Sequence, residues 1–166
     1  MDIKRILRHL LLGDIHVRKR FPAASLDRIA KAIGETEARH SGELRFAVEA
    51  SLDWGPLWKG FTARDRAVEV FSQLRVWDTE ANNGVLIYLL LADHDVEILA
   101  DRGIHAKVGP EGWENVCRRM EAEFRQGHFE AGVIEGIAEV GRHLERHFPR
   151  QGGEDLNELP NQPVIL

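Results

Sequence analysis

A three-layer α/β/α sandwich around a small mixed β-sheet is the fold class that the sequence predicts, and three observations predict it. The run Val85 to Leu91 is continuously apolar, the signature of a central strand covered on both faces. Leu44, Phe46, Val48 and Ala50 alternate with Glu43, Arg45, Ala47 and Glu49, a half-buried strand; the helical pattern between the two runs makes their connection a parallel crossover. Helical segments outnumber strands, so the sheet has cover on both sides.

Each element has its own justification. Ile3, Ile6, Leu7, Leu10 and Leu11 lie three and four residues apart and mark a short helix over residues 2–12. Arg18, Lys19 and Arg20 then lead through Phe21-Pro22, a linker because the residue before proline is pushed out of the helical region. Ser25 is placed to cap a helix with Leu26, Ile29, Ala30 and Ile33 on its apolar face, and Gly42 closes that segment. Residues 51–61 read as a loop carrying Trp54, Trp58 and Phe61. Thr62 and Asp65 form a capping box for a helix whose core face is Ala67, Val70, Phe71 and Leu74. Asp93-His94 makes a tight turn into a strand with Val96, Ile98 and Ala100, an antiparallel hairpin with the apolar run. Pro110 suits a first helical position before Trp113, Val116, Cys117, Met120 and Phe124. Gly127 breaks the pattern, and Phe129, Val133, Ile137, Val140 and Leu144 define a final long helix. The organisation is therefore a basic amphipathic arm over 1–21, a compact body over 22–149 and an extended tail over 150–166, whose Pro163-Val164-Ile165-Leu166 end is apolar enough to dock back.

The chain has 166 residues, one domain's length, with 43% hydrophobic and 30% charged residues, the balance of a globular protein. A single cysteine, Cys117, excludes an internal disulfide framework and fits a reducing compartment. The expected location is the cytoplasm, since no apolar run reaches the ~18 residues of a spanning helix. The net charge of −5 argues against general nucleic-acid binding. It is unevenly spread: residues 1–20 carry six Lys or Arg against two Asp, a net of +4, and the remainder carries −9.

Candidate sites follow from placement. A turn at Asp93-His94 sets position 84 opposite about 103, so the segment Asp78 to Asn83 meets Asp101-Arg102-Gly103 at one end of the sheet. Asp78, Asn82, Asn83 and Asp101 are oxygen donors suited to calcium or magnesium, and Arg102 suits a phosphate; the plainer alternative is a turn and a surface ion pair. Asp93, His94 and Asp95 form a second acidic cluster near Ser51, Leu52 and Asp53, of the kind that tight turns use. His143 and His147 have an i, i+4 spacing that can grip zinc, but helix ends also favour cationic side chains. Cys117 lies on an apolar stripe and reads as structural; Gly132, Gly136 and Gly141 permit close helix packing. Trp54, Trp58 and Phe61 make either a partner-binding patch or a lid over the sheet. The arm, with Arg18, Lys19 and Arg20, lies on an anionic membrane, docks on a partner or packs on the body.

One set of segments is more specific. Asn82-Asn83-Gly84-Val85-Leu86-Ile87 opens a strand, Gly103 follows the hairpin, and Phe124-Arg125-Gln126-Gly127-His128-Phe129 with Gly132 opens the last helix. Together with Arg75 to Glu80, these resemble the stand-alone bacterial branch of the TPM domain family over about Ser25 to Phe148. The resemblance implies an α/β/α sandwich. Among family members are plant acid phosphatases that bind a divalent ion, proteins of photosystem repair and accessory proteins of membrane receptors, and bacterial members are encoded near LemA-type membrane proteins. Members carry an acidic residue where this chain reads His105-Ala106-Lys107-Val108-Gly109, and lysine and histidine are poor ligands for calcium or magnesium. Two functions are expected from this: an accessory module with a membrane-associated, LemA-type partner, making peripheral contact with the inner membrane, or a metal-assisted phosphomonoesterase.

Overall fold

The computed structural model describes residues 3–152 and 157–166. Helices α1 (Ile3–Leu11), α2 (Asp14–Arg20) and α3 (Ala23–Glu37) precede strand β1 (Leu44–Glu49). Helices α4 (Trp54–Trp58) and α5 (Ala63–Gln73) lead to the hairpin β2 (Val85–Leu90) and β3 (Asp95–Ala100). Helices α6 (Arg102–Arg125) and α7 (Phe129–His147) and a short strand β4 (Val164–Ile165) complete the described chain.

The sheet order is β3-β2-β1-β4, with β1 parallel to both β2 and β4 and β3 antiparallel to β2. The mixed sheet between helical layers is the expected sandwich. On one face Phe46, Val48, Ile87 and Leu89 pack with Ile29 and Ile33 of α3, Met120 of α6 and Ile137 of α7. On the other, Ala47, Leu86, Tyr88 and Leu90 pack with Ala67 and Val70 of α5 and with Leu159. Close packing of α7 uses its small residues: a side chain at Gly136 would strike Met120, and one at Gly141 would strike Thr36.

Several local expectations need correction. Arg18, Lys19 and Arg20 form the last turn of a second helix, α2, which the sequence did not mark, and Phe21-Pro22 links it to α3 as expected; cations there suit the helix dipole. Pro22, not Ser25, is the N-cap of α3, and Ser25 is buried inside the first turn. Strand β1 is buried on both faces because it is internal to the sheet, with α3, α6 and α7 packed on one side and α5 and Leu159 on the other. Residues 51–61 contain the short helix α4. The hairpin register pairs Val85 with Ala100, and the Asp101 N–H donates to Gly84 O at 2.8 Å. Position 84 therefore faces 101, not 103, because the turn takes in Leu91 and Ala92 as well as Asp93 and His94. A helix does start at Pro110, but it continues from an earlier stretch, Arg102 to Val108, across a kink at Gly109 whose φ of +75° favours glycine. The Thr62–Asp65 capping box forms as read, Asp65 N donating to Thr62 Oγ1 at 3.1 Å.

Candidate functional site

The two ends of the β2–β3 hairpin carry the polar chemistry, and they are built differently. At the β2 entrance, Asn83 and Asp101 come to one rim, since Gly84 and Asp101 are hydrogen-bonded neighbours. Asn83 is fully buried; its main-chain N–H donates to Thr79 Oγ1 at 3.1 Å and its Nδ2 to Ser41 O at 3.0 Å. Asp101 is the N-cap of α6, and its Oδ1 accepts the Arg102 N–H at 2.7 Å. Gly103 is required here: a Cβ would run into the carbonyl oxygens of Ala81 and Asn82. Two side-chain oxygens, Asn83 Oδ1 and Asp101 Oδ2, are buried with no hydrogen-bond partner among the described residues. Buried acceptors ordinarily find a donor or an ion. Asp78, Asn82 and Arg102, by contrast, are exposed. Asn82 is held at a φ of +53°, and its carbonyl oxygen accepts the Ile104 N–H at 3.3 Å. No group of three or more His, Cys, Asp or Glu among the described residues is arranged to hold a metal ion.

At the opposite end, the Asp93 turn and the segment after β1 do lie together, and α1 joins them. Arg5 Nε donates to Asp93 Oδ2 at 3.0 Å, and Arg5 Nη2 donates to Phe61 O at 2.8 Å. His9 is buried between the two loops: the Leu52 N–H donates to its Nδ1 at 2.9 Å, and its Nε2 is 3.1 Å from Asp93 Oδ1. Accepting at Nδ1 places the proton on Nε2, which therefore donates to the carboxylate. Ser51 Oγ donates to Leu12 O at 3.0 Å. Burial would raise the Asp93 carboxyl, but hydrogen bonds from Arg5 and His9 outweigh it and hold it below the usual carboxylate range. The second acidic cluster thus anchors the N-terminal arm, a use that turn chemistry alone did not suggest.

That anchoring inverts the amphipathy of α1. At about 100° per residue, Arg5, His9 and Leu12 share one side of the helix and Ile3, Leu7, Leu10 and Leu11 the other. The polar side meets the body; the aliphatic side faces solvent, each of its four residues being at least 52% exposed. Ile15 of α2 is also exposed. Trp54 and Trp58 of α4, the helix that begins just after Leu52, are exposed and tilted against each other with ring centroids 5.6 Å apart. Phe61 parts company with them: it is half-buried and packs on the α5 side of the sheet. Arg18 and Lys19 are exposed, whereas Arg20 lies over the Phe129 ring at 5.1 Å.

The remaining candidates are structural. Burial pushes the Cys117 thiol up to about 12, far from a nucleophile's range. His143 is half-buried with its ring 5.5 Å from that of Trp113, and burial lowers its pKa. Glu49, which charge patterning did not single out, accepts from Arg66 at 2.9 Å and from the Tyr88 hydroxyl at 2.7 Å, a closed network rather than a site. No described helix is long and apolar enough to cross a membrane.

Comparison with known proteins agrees with this architecture. The TPM domain profile matches residues 19–143. The chain is similar to the BA42 protein of the psychrophilic bacterium Bizionia argentinensis, known from an NMR structure, at 32% identity over 87% of this chain and 94% of that one, with a TM-score of 0.76. The N-terminal domain of a P. gingivalis protein shares the fold at 21% identity over 78% of this chain and 82% of that one, with a TM-score of 0.58. No curated protein matches.

Proposed function

The chain belongs to the TPM domain family, and from that premise we propose that it is an accessory interaction module working at the cytoplasmic face of the inner membrane beside a membrane-associated partner of the LemA type. One observation carries this reading: α1 is fastened through its polar side by Arg5 and His9 and presents its aliphatic side outward. A helix that served only the core would do the reverse. Exposed aliphatic surface on a docked helix marks a contact face, and Trp54 and Trp58 are exposed on α4, which begins two residues beyond the Leu52 that donates to His9. Of the expected partner-binding residues, Trp54, Trp58, Arg18 and Lys19 are exposed and open to contact, whereas Phe61 is half-buried and Arg20 lies over the Phe129 ring. The test is sedimentation of the intact chain with native bacterial inner-membrane vesicles. The expected result is co-sedimentation that Leu7→Glu/Leu11→Glu abolishes; a wild-type chain that stays in the supernatant overturns the reading.

A second reading has its own observation. The partnerless Asn83 Oδ1 and Asp101 Oδ2 are hard oxygen donors of the type that calcium or magnesium takes. Asn83 and Asp101 would hold the ion, with Asp78 and Asn82 on the exposed loop beside them; a bound cation would supply charge to polarise a phosphoryl oxygen, and Arg102 would grip the phosphate. Calcium or magnesium is expected to raise the Tm of the wild type and not of Asp101→Ala. The phosphomonoesterase form of this reading requires hydrolysis of a generic phosphate ester that chelator and Asp101→Ala both remove; activity indifferent to either change rejects it.

A further inference from the structure

Resting on the accessory-module reading, we infer that the outward stripe of α1 docks directly into the interface of an anionic phospholipid bilayer, with the α4 tryptophans as its second anchor. The stripe Ile3, Leu7, Leu10 and Leu11 lies on a single helix, and Ile15, beyond the Gly13 break, is exposed on α2. The stripe covers an arc of roughly 100° and runs about 12 Å from residue 3 to residue 11, the shape of a helix lying in the interface plane rather than of a ridge fitted to a groove. Lys4 and Arg8 follow on the same helix and border the stripe on one side, Arg8 half-exposed with its Nη2 also 3.8 Å from Asp93 Oδ1, and Arg18 and Lys19 are exposed on α2. The exposed carboxylates on these helices and at the start of α4 are fewer, Asp14 and Asp53. A chain whose net charge is −5 thus turns a locally cationic margin toward its apolar stripe. That arrangement complements an anionic headgroup layer. A second copy of the chain fits less well in an antiparallel two-fold contact through the stripe, which would bring the Lys4 and Arg8 margins together. The tryptophan pair adds flat amphipathic rings, which partition to the headgroup level of a bilayer.

Because Arg5 and His9 are engaged with Asp93 and Leu52, binding requires no unfolding of the arm: the face is already formed. Protein-free vesicles of phosphatidylcholine alone, and of phosphatidylcholine with phosphatidylglycerol, are the probe, read by co-sedimentation and by the emission shift of tryptophan. The intact chain is expected to bind the phosphatidylglycerol vesicles, with binding that weakens as salt rises. Leu7→Glu/Leu11→Glu is expected to reduce the partition coefficient by about tenfold or more, and Arg18→Glu/Lys19→Glu by a smaller factor that salt removes. Trp54→Ser/Trp58→Ser should abolish most of the emission shift. All the substituted side chains are exposed, and an unchanged Tm shows that each variant is folded. Binding to native membranes without binding to phosphatidylglycerol vesicles overturns the lipid proposal and leaves the accessory-module reading standing, with a protein as the occupant. Self-association that Leu7→Glu/Leu11→Glu abolishes, without vesicle binding, assigns the face to a second copy. Absence of binding to either membrane overturns both.

Discussion

The N-terminal arm and the C-terminal tail both return to the body, and opposite kinds of bond hold them there. The arm's first helix, α1, is fastened by side chains, Arg5 and His9 on Asp93, and leaves Ile3, Leu7, Leu10 and Leu11 largely exposed, while Val17 of α2 and Phe21 join the core. The tail is fastened largely through its main chain. The Glu43 carboxylate accepts the N–H groups of Glu158 and Leu159, each at 3.1 Å, Arg45 donates to Pro160 O, and the Leu166 N–H donates to Val48 O at 3.0 Å. It buries Leu159 and adds β4 to the edge of β1. A segment that gives its backbone and its apolar side chain to the sheet closes the fold, because an open edge beside a buried strand invites aggregation. A helix that holds on by polar side chains and keeps most of its apolar side chains free, as α1 does, is available to something else.

The largest effect expected from this contrast is on the tail. Ending the chain at Arg150 removes the partner of β1 and leaves Glu43 and Arg45 without the main-chain groups they bind, and the stability loss should be roughly 3–5 kcal/mol. Urea unfolding followed by circular dichroism measures it, and visible aggregation at low urea is the expected companion. A truncated chain that unfolds at the wild-type midpoint would erase the distinction between the two ends.

Next in size is Asp93→Ala. It leaves the His9 Nε2–H without its acceptor and the Arg5 guanidinium with only Phe61 O, at a cost of about 1–3 kcal/mol. The readout that matters is local: amide exchange in α1 should accelerate well beyond that in β2 or α7. The sign of its pH dependence follows from the depressed Asp93 pKa. The stabilisation is present above the unfolded value of about 3.9 and is lost only as pH falls through the lower folded value, so the clasp holds throughout the neutral range.

These two ends also mark what was legible in the sequence. The apolar run of β2, the alternation in β1 and the Thr62–Asp65 box are local patterns, and each element followed from them. So did the meeting of Asn83 and Asp101, because any short hairpin that starts near Asn83 brings its far strand back to that point. The tail strand was not legible: two residues of β4 have no periodicity, and the Glu43 and Arg45 side chains that hold the segment before it read as the exposed side of a half-buried strand. Nor was the direction of α1, since a helical stripe says that two faces differ and not which one is covered. Arg5, His9 and Asp93 decide that, and they are 84 or more positions apart. The hairpin register was missed by two residues because Leu91 and Ala92 are as apolar as the strand they leave.

A subtler prediction concerns Glu37, close to the tail. Its carboxyl accepts the Leu44 N–H at 2.9 Å, yet burial, aided by the nearby Glu43, raises its pKa from 4.5 to about 8. The folded state therefore binds an additional proton between these values, and stability should decline as pH rises from about 4.5 to 8. Glu37→Gln keeps an acceptor for Leu44 and removes the titration. Its Tm should be flatter than that of the wild type across this window, the gap growing on the alkaline side. Parallel Tm profiles for the two proteins would show that the tail contact is indifferent to this proton.

The smallest expected effect is the sharpest test of the contrast. Leu7→Ser/Leu11→Ser changes two large aliphatic side chains, and at buried positions each such change would cost about 2–5 kcal/mol. Here both side chains are more than half exposed and the helix is held from its other side, so the loss should stay within about 0.5 kcal/mol per site. Chemical denaturation compared with wild type measures this directly, and the exchange rates of α1 should remain those of the parent. A loss of core size would mean that the stripe contributes to the fold after all, and the arm would then resemble the tail. Stability kept while membrane sedimentation falls would separate the two functions of α1 on its two faces: Arg5 and His9 for holding on, Leu7 and Leu11 for reaching out.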